Sequence, residues 1–286
     1  MSKVWLITGS ARGLGLHIAK AVLEAGDRLV ATARNPGQLA PLAAEFGDQV
    51  APFALDVTDP AAAQAAVDFA VDTFGRLDVL INNAGFGHFA PFEQTDPDHF
   101  RAQIETNFFG VVNMTRAALP VMRTQRSGNI INISSVGGRM TGPGMSAYQS
   151  AKWAVSGFSE IIARETSHLG IRTVSIEPGG MRTEWGQIAR GDAPRLWKDY
   201  EPAMGAMQAV LEKVIGNEIG SPDRIAGVIL DLAERDDVPE HLLLGSDAVE
   251  LLKKAEDKRR REAEAWEGVS RSTDFEDADL SFLKHI

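Results

Sequence analysis

The chain has 286 residues, a formal net charge of −10 and no cysteine. The negative balance argues against nucleic acid or an anionic membrane as a partner, and the missing thiols exclude disulfides and thiolate chemistry. No apolar run reaches the roughly 18 residues of a membrane span, and the start runs into a strand without a signal-like segment, so a cytoplasmic protein is expected.

The first strand, 4–7, passes into Thr8-Gly9-Ser10-Ala11-Arg12-Gly13-Leu14-Gly15, then into a helical pattern over 14–25 closed by Gly26. A strand turning through glycines into a helix N-terminus suits a diphosphate. Glycine permits positive φ and close backbone approach, and the free N–H groups of the first turn attract anions. A second strand, 28–33, ends at Arg34 with no acidic residue, and a helical pattern covers 36–46. A third, 50–55, ends at Asp56-Val57 before a helix at 60–74; a fourth, 78–81, ends at Asn82-Asn83-Ala84-Gly85. A helical pattern over 97–124 carries Asn107, and a fifth strand, 129–133, meets Ser134-Ser135. The next helix, 147–168, opens on Tyr148 and Lys152; a sixth strand, 172–176, precedes Pro178, Gly179 and Thr183. A helix near 222–235 and a strand at 241–244 follow. This alternation predicts an α/β fold, a parallel sheet of about seven strands with helices on both faces. Ligands of such sheets gather at the carboxyl ends of the strands, where all these motifs fall.

Tyr148 and Lys152 are one helical turn apart, so phenol and ammonium can face one pocket. A free phenol titrates at about pH 10. A neighbouring cation favours phenolate and brings the group towards working pH, which makes the pair a candidate for proton transfer at an oxygen.

In order along the chain, Thr8-Gly9-x-x-x-Gly13-x-Gly15, Asp56-Val57, Asn82-Asn83-Ala84-Gly85, Asn107, Ser135, Tyr148-x-x-x-Lys152 and Pro178-Gly179-x-x-x-Thr183 resemble the motifs of the short-chain dehydrogenase/reductase family, in its single-domain branch. The likeness is distinct up to about residue 185. It implies a Rossmann-type doubly wound sheet and an NAD(P)-dependent oxidoreductase acting on CH–OH donors. Hydride would pass between nicotinamide and a small-molecule ketone, aldehyde or alcohol. It also implies that Tyr148 is the acid in reduction and the base in oxidation. Lys152 would lower the phenol pKa and hold the nicotinamide ribose. Ser135 would hydrogen-bond the substrate oxygen, and Asn107 would hold a water linking Lys152 to solvent. Cofactor contacts would come from Gly9, Ser10, Arg12, Gly13, Leu14 and Gly15. Asp56 would meet the adenine amine beside Val57, and Asn83, Ala84 and Gly85 would border the adenosine ribose. Pro178, Gly179 and Thr183 would line the nicotinamide. NADP(H) is expected over NAD(H): the second strand lacks the terminal carboxylate that binds a ribose 2′-hydroxyl, and Arg34 and Arg12 offer guanidinium forks to a 2′-phosphate.

Residues 1–248 are read as one dinucleotide-binding domain with a substrate loop near 184–220, and 249–286 as a charged helix and tail. Trp185, Ile188, Trp197, Tyr200, Met204 and Met207, broken by Gly186, Gly191 and Gly205, suit a mobile lid over an apolar carbonyl compound. Phe86, Phe89, Phe92, Met140 and Met145 would complete the wall. Packing of local helices accounts for the same residues equally well. The six histidines lack metal-ligand spacing, so no metal is expected; His88 falls at a strand end near the substrate side. By resemblance, the chain would form a homodimer or homotetramer through 97–124 and 147–168; the apolar Val111, Val112, Met114, Ala117 and Leu119 suit such a contact and equally well a face turned to the sheet. One rival is a non-catalytic NADP(H)-binding sensor that meets partners through its tail; it leaves Tyr148, Lys152, Ser135 and Asn107 without a purpose. Another is a lyase or epimerase, for which the roughly 100 residues after Thr183 are short.

Overall fold

The computed structural model describes residues 2–191 and 194–285. Its strands are β1 (Val4–Ile7), β2 (Arg28–Ala33), β3 (Val50–Ala54), β4 (Val79–Asn82), β5 (Gly128–Ile133), β6 (Ile171–Pro178) and β7 (His241–Leu244). The helices are α1 (Gly13–Glu24), α2 (Ala40–Phe46), α3 (Pro60–Phe74), α4 (Pro97–Ile104), α5 (Gly110–Gln125), α6 (Ser146–Thr166), α7 (Trp185–Gly191), α8 (Glu201–Val214), α9 (Pro222–Glu234) and α10 (Ser246–Arg271). The seven strands form one sheet in the order β3-β2-β1-β4-β5-β6-β7, with every neighbouring pair parallel. This is the parallel α/β sheet that the alternation of elements predicts, with the Rossmann-type double winding that the resemblance implies.

Two-residue periodicity explains the double winding. Trp5 and Ile7 of β1 point to one face, where Ile18 and Val22 of α1 and Ile225 and Ile229 of α9 cover them. Leu6 points to the other face, against Ala66 and Val67 of α3 and Met114 and Met122 of α5. Strands covered on both faces carry no polar alternation, and all four residues of β1 are buried. Strand order reverses between β1 and β4, which opens the crevice where ligands of such sheets bind.

Helix starts follow local chemistry. Asp59 and Asp96 accept N–H groups of the first turns of α3 and α4, and Ser221 does so for α9; proline follows each cap. Its fixed φ suits the first helical position, and its missing N–H would have been unpaired there.

Three elements differ from expectation. The helix expected unbroken over 97–124 widens into a π turn at Glu105–Phe109 between α4 and α5. The expected loop 184–220 contains α7 and α8, and Gly186 and Gly205 lie inside them. The charged C-terminal helix starts at Ser246 and buries Ala248 and Leu252 against Val136, so its first turns belong to the body. Beyond it, Leu280, Phe282 and Leu283 are exposed. Of the apolar positions on α5, Val111, Met114 and Ala117 are buried, whereas Val112 and Leu119 line an open groove of about 400 Å³ against Phe158 and Ile162 of α6. Among the described residues no helix is long and apolar enough to cross a membrane.

Two glycine substitutions separate close approach from simple flexibility. A Cβ at Gly15 would lie 2.2 Å from the Gly9 carbonyl oxygen and 2.5 Å from Asn83 Nδ2. Gly15→Ala should therefore cost about 1–3 kcal/mol or more. Nothing lies within 4 Å of a Cβ at Gly157, inside α6, so Gly157→Ala should stabilise by about 0.5–1 kcal/mol. Calorimetric Tm values should move in opposite directions.

Candidate active site

The glycine turn is built against the end of β4. Thr8, 1% exposed, accepts the N–H groups of Asn83 and Ala84 on its hydroxyl, each at 2.9 Å. The Asn83 side chain donates to the carbonyls of Thr8 (2.9 Å) and Gly9 (3.2 Å). Gly9 and Gly13 have φ of 72° and 54°, values that favour glycine. No side chain caps the N-terminus of α1 and no acid lies in its first turn. That leaves N–H groups suited to an anion, so these residues fit a dinucleotide diphosphate.

Other predicted contacts are placed unevenly around this cradle. Arg12, Arg34 and Asp56 are exposed along its rim. Asp56 is held below the usual carboxylate range, first by the Thr58 N–H, then by the Thr58 hydroxyl and the charge of Arg34. Val57 is buried; a Cβ at Gly110 would approach it to 2.5 Å, and its carbonyl accepts from Asn113. Leu14 sits in the core beneath the turn. Ser10 departs from its expected place, because it has no exposed surface. Its hydroxyl joins the Ile7 carbonyl to the Thr32 N–H, and its own N–H binds the Thr32 carbonyl. Ser10 joins β1 to β2 from inside, with its hydroxyl and N–H both engaged there.

The side chains expected to react converge at the end of β5 and the start of α6. Ser135 accepts the Gly137 N–H at 3.0 Å, and its hydroxyl is close enough to the Tyr148 phenol to favour the phenolate. Lys152 is buried, donates to the Ile133 carbonyl at 2.7 Å and stands 5.7 Å from the centre of the Tyr148 ring. Burial acts oppositely on the two. It pushes the Tyr148 phenol up to about 12, with the Ser135 hydroxyl pulling the other way, and brings Lys152 down to about 8. Desolvation therefore outweighs the downward pull expected from the lysine. The pair is held towards its neutral forms, with the phenol protonated.

Asn107 lies in the π turn, completely buried. Its amide donates to the carbonyls of Phe86 and Gln103, both at 2.8 Å, and accepts the Phe86 N–H at 3.1 Å. The side chain is thus committed to the loop after β4. A Cβ at Gly85 would lie 2.4 Å from Asn107 Oδ1 and 3.6 Å from Lys152 Nζ, so this loop runs beside the lysine.

The opposite wall belongs to α7 and α8. The Trp185 ring is tilted 51° over Tyr148 at 4.9 Å, and its backbone N–H reaches the Thr183 hydroxyl at 3.3 Å. Its indole edge also packs where a Cβ of Gly87 would be. Met204 and Phe89 are buried together against Gly144, and Met207 lies over Gly142. Trp197 and Phe92 are exposed, and Tyr200 donates to Glu93 at 2.6 Å. His88 lies edge-on to His99, their ring centres 4.6 Å apart.

Two acids escaped the motif reading. Asp247, in the first turn of α10, accepts the Gly180 N–H at 2.7 Å and packs where a Cβ of Gly179 would lie, which fixes the loop after Pro178. Glu177, completely buried, immediately precedes that proline. A carboxylate next to the proline that ends β6 was the signal available for it.

A family model described as short chain dehydrogenase matches residues 3–193. Over 271 residues the chain is 46% identical to Oxidoreductase BOA17 of Botryotinia fuckeliana, covering 94% of this chain and 98% of that one. A short-chain dehydrogenase from Streptomyces avermitilis superimposes with a TM-score of 0.88 at 36% identity, covering 96% of this chain and 100% of that one. An alcohol dehydrogenase from Thermococcus sibiricus, complexed with 5-hydroxy-NADP, gives a TM-score of 0.70 at 27% identity (85% and 96% covered). A 3-ketoacyl-(acyl-carrier-protein) reductase from Brucella melitensis, complexed with NADH, gives 0.72 at 26% (85% and 96%).

The depressed pKa of Lys152 carries a stability consequence. Between about 8 and the ordinary 10.5 the unfolded chain binds more protons than the folded one, so stability rises with pH across that window. Relative to Lys152→Met, the wild type should gain up to roughly 3 kcal/mol between these limits, read from urea midpoints at both. A flat difference rejects the buried-lysine assignment.

Proposed function

Because this chain belongs to the short chain dehydrogenase family, and is thereby an NAD(P)-dependent oxidoreductase, we propose that it is an NADP(H)-dependent reductase of small ketones or aldehydes. The observation that carries the reading is the meeting of Ser135, Tyr148 and Lys152 beside the glycine turn. When bound, the dinucleotide supplies the hydride. The residues of the chain manage the oxygen. The Ser135 hydroxyl donates a hydrogen bond to the substrate oxygen, stabilising the negative charge that develops there. Tyr148, kept protonated by its burial, gives its proton to that oxygen. The Lys152 ammonium stabilises the phenolate left behind until solvent reprotonates it. Trp185 and the methionines of α8 exclude water from the reacting carbon.

Preference for NADP(H) rests on Arg12 and Arg34, exposed at the rim of the cradle with no carboxylate ending β2.

Tyr148→Phe should lower kcat for NADPH-dependent carbonyl reduction by at least ~10²-fold while nucleotide affinity, measured by quenching of NADPH fluorescence, stays within a factor of about two. Retention of activity in this variant rejects the acid assignment. Removing both arginines, as Arg12→Ala with Arg34→Ala, should reduce kcat/KM for NADPH about 10–100-fold, the worth of one or two charge-assisted hydrogen bonds. The value for NADH should barely change; an equal loss with both nucleotides removes the 2′-phosphate from the proposal.

A further inference from the structure

The carboxylate of Glu177 stands apart from the reacting groups, yet its contacts run to both elements that carry them. It is the penultimate residue of β6, immediately before Pro178, and its side chain has no exposed surface. Oε1 accepts from Nδ1 of His241 on β7 at 2.7 Å, from the Ser156 hydroxyl on α6 at 3.2 Å and from the Ser175 hydroxyl at 3.4 Å. Oε2 faces Nη1 of Arg139 at 3.5 Å. Each contact continues towards the site. Arg139 closes the turn that opens at Ser135, its N–H bonded to the Val136 carbonyl at 3.0 Å. The Ser156 hydroxyl lies 2.9 Å from that of Ser134, which donates to the Lys152 carbonyl at 3.1 Å. A Cβ at Gly138 would collide with the Ser134 and Ser156 hydroxyls and the Lys152 carbonyl, all within 2.8 Å, so the cluster is closed by backbone and leaves little play.

We propose that Glu177 is a positioning residue for the carbonyl chemistry: one buried carboxylate sets the turn bearing Ser135 against the helix bearing Tyr148 and Lys152. The proposal rests on those three residues being the reacting group. An unpaired carboxylate does not persist in such a place, and the partners supply the opposite charge. His241 is raised above its ordinary value, chiefly by its hydrogen bond to Glu177, with desolvation opposing. The charged groups around the cluster are Glu160 and Arg164 on α6, Glu240 before β7, Arg139 after β5 and Glu256 on α10. Glu160 lies 3.4 Å from His241 Nε2, Arg164 pairs with Glu160 and Glu240, and Arg139 pairs with Glu256. A buried ion pair that serves stability alone can be replaced by apolar side chains at little cost. One that fixes the distance between two reacting elements cannot.

That contrast sets the test. The chain contains only two tyrosines, Tyr148 and Tyr200, so protein labelled with ¹³Cζ-tyrosine gives two resonances, assigned by Tyr200→Phe. Glu177→Leu should lower kcat about tenfold or more, leave KM for NADPH within about twofold, and move the Tyr148 resonance in the direction produced by Ser135→Ala. Glu177→Gln, which keeps the shape and an acceptor, should recover most of both readouts. If Glu177→Leu does not fold, His241→Gln should move both readouts in the same directions by smaller amounts. A lower Tm with kcat and the Tyr148 resonance unchanged overturns the proposal and leaves Glu177 a structural group. Should the wild type turn over no carbonyl compound, the reductase reading fails; the resonance still decides whether Glu177 holds Ser135 against Tyr148.

Discussion

The arrangement depends on the hydrogen bonds of Thr8. This side chain, with the carbonyl behind it, fastens the end of β1 to Asn83 and Ala84 at the end of β4. Strand order reverses between these two strands, so the crevice there would splay open without a cross-tie. Once tied, the turn Gly9–Gly15 faces the segment Asn83–Gly85, and Gly85 in turn touches Asn107 and Lys152. A chain of contacts therefore leads from the glycine turn to the lysine through backbone and short side chains. Such a route varies little with thermal motion, because it contains few rotatable bonds.

Burial sets the chemistry within that frame. In water the phenol and the ammonium of Tyr148 and Lys152 titrate close together; here desolvation drives them past each other, to about 12 and about 8. The result is a protonated phenol beside an amine that charges or discharges near physiological pH. Ser135 moderates this with its hydroxyl beside Tyr148 while its own oxygen is occupied by the Gly137 N–H. The protein accepts a stability cost for the buried lysine, as sites built for chemistry commonly do.

How much of this the sequence disclosed depends on the range of the interaction. The strands were legible because residues buried on both faces leave continuous apolar runs, and the motifs at their ends were legible because each is local. Ser10 was misplaced for the converse reason. Within its motif it looks like one more loop residue, whereas its hydroxyl bridges Ile7 and Thr32, partners 3 and 22 positions away. The helices in 184–220 were hidden because Gly186, Gly191 and Gly205 read as breaks; packing against Gly87, Gly142 and Gly144 organises the segment instead. The π turn at Asn107 had no local signature at all. It follows from satisfying a buried amide against Phe86 and Gln103, a tertiary demand.

Pro178-Gly179-Gly180 illustrates how a motif can serve two masters. Read locally, its glycines leave room for a flat ring. In the fold they also leave room for Asp247, whose carboxylate would lie 2.2 Å from a Cβ at Gly179 and which accepts the Gly180 N–H. The same carboxylate takes the Ala248 N–H at 2.9 Å in the first turn of α10, where a negative charge is favoured by the helix dipole. The loop lining the site is thus fixed from behind by the C-terminal helix, and that helix is fixed again by Arg139 with Glu256. Arg139 is also the partner of Glu177. The front of the site and the last helix are therefore joined at two acids, one on each side of Pro178, and a disturbance of α10 has a short path to the reacting groups through either.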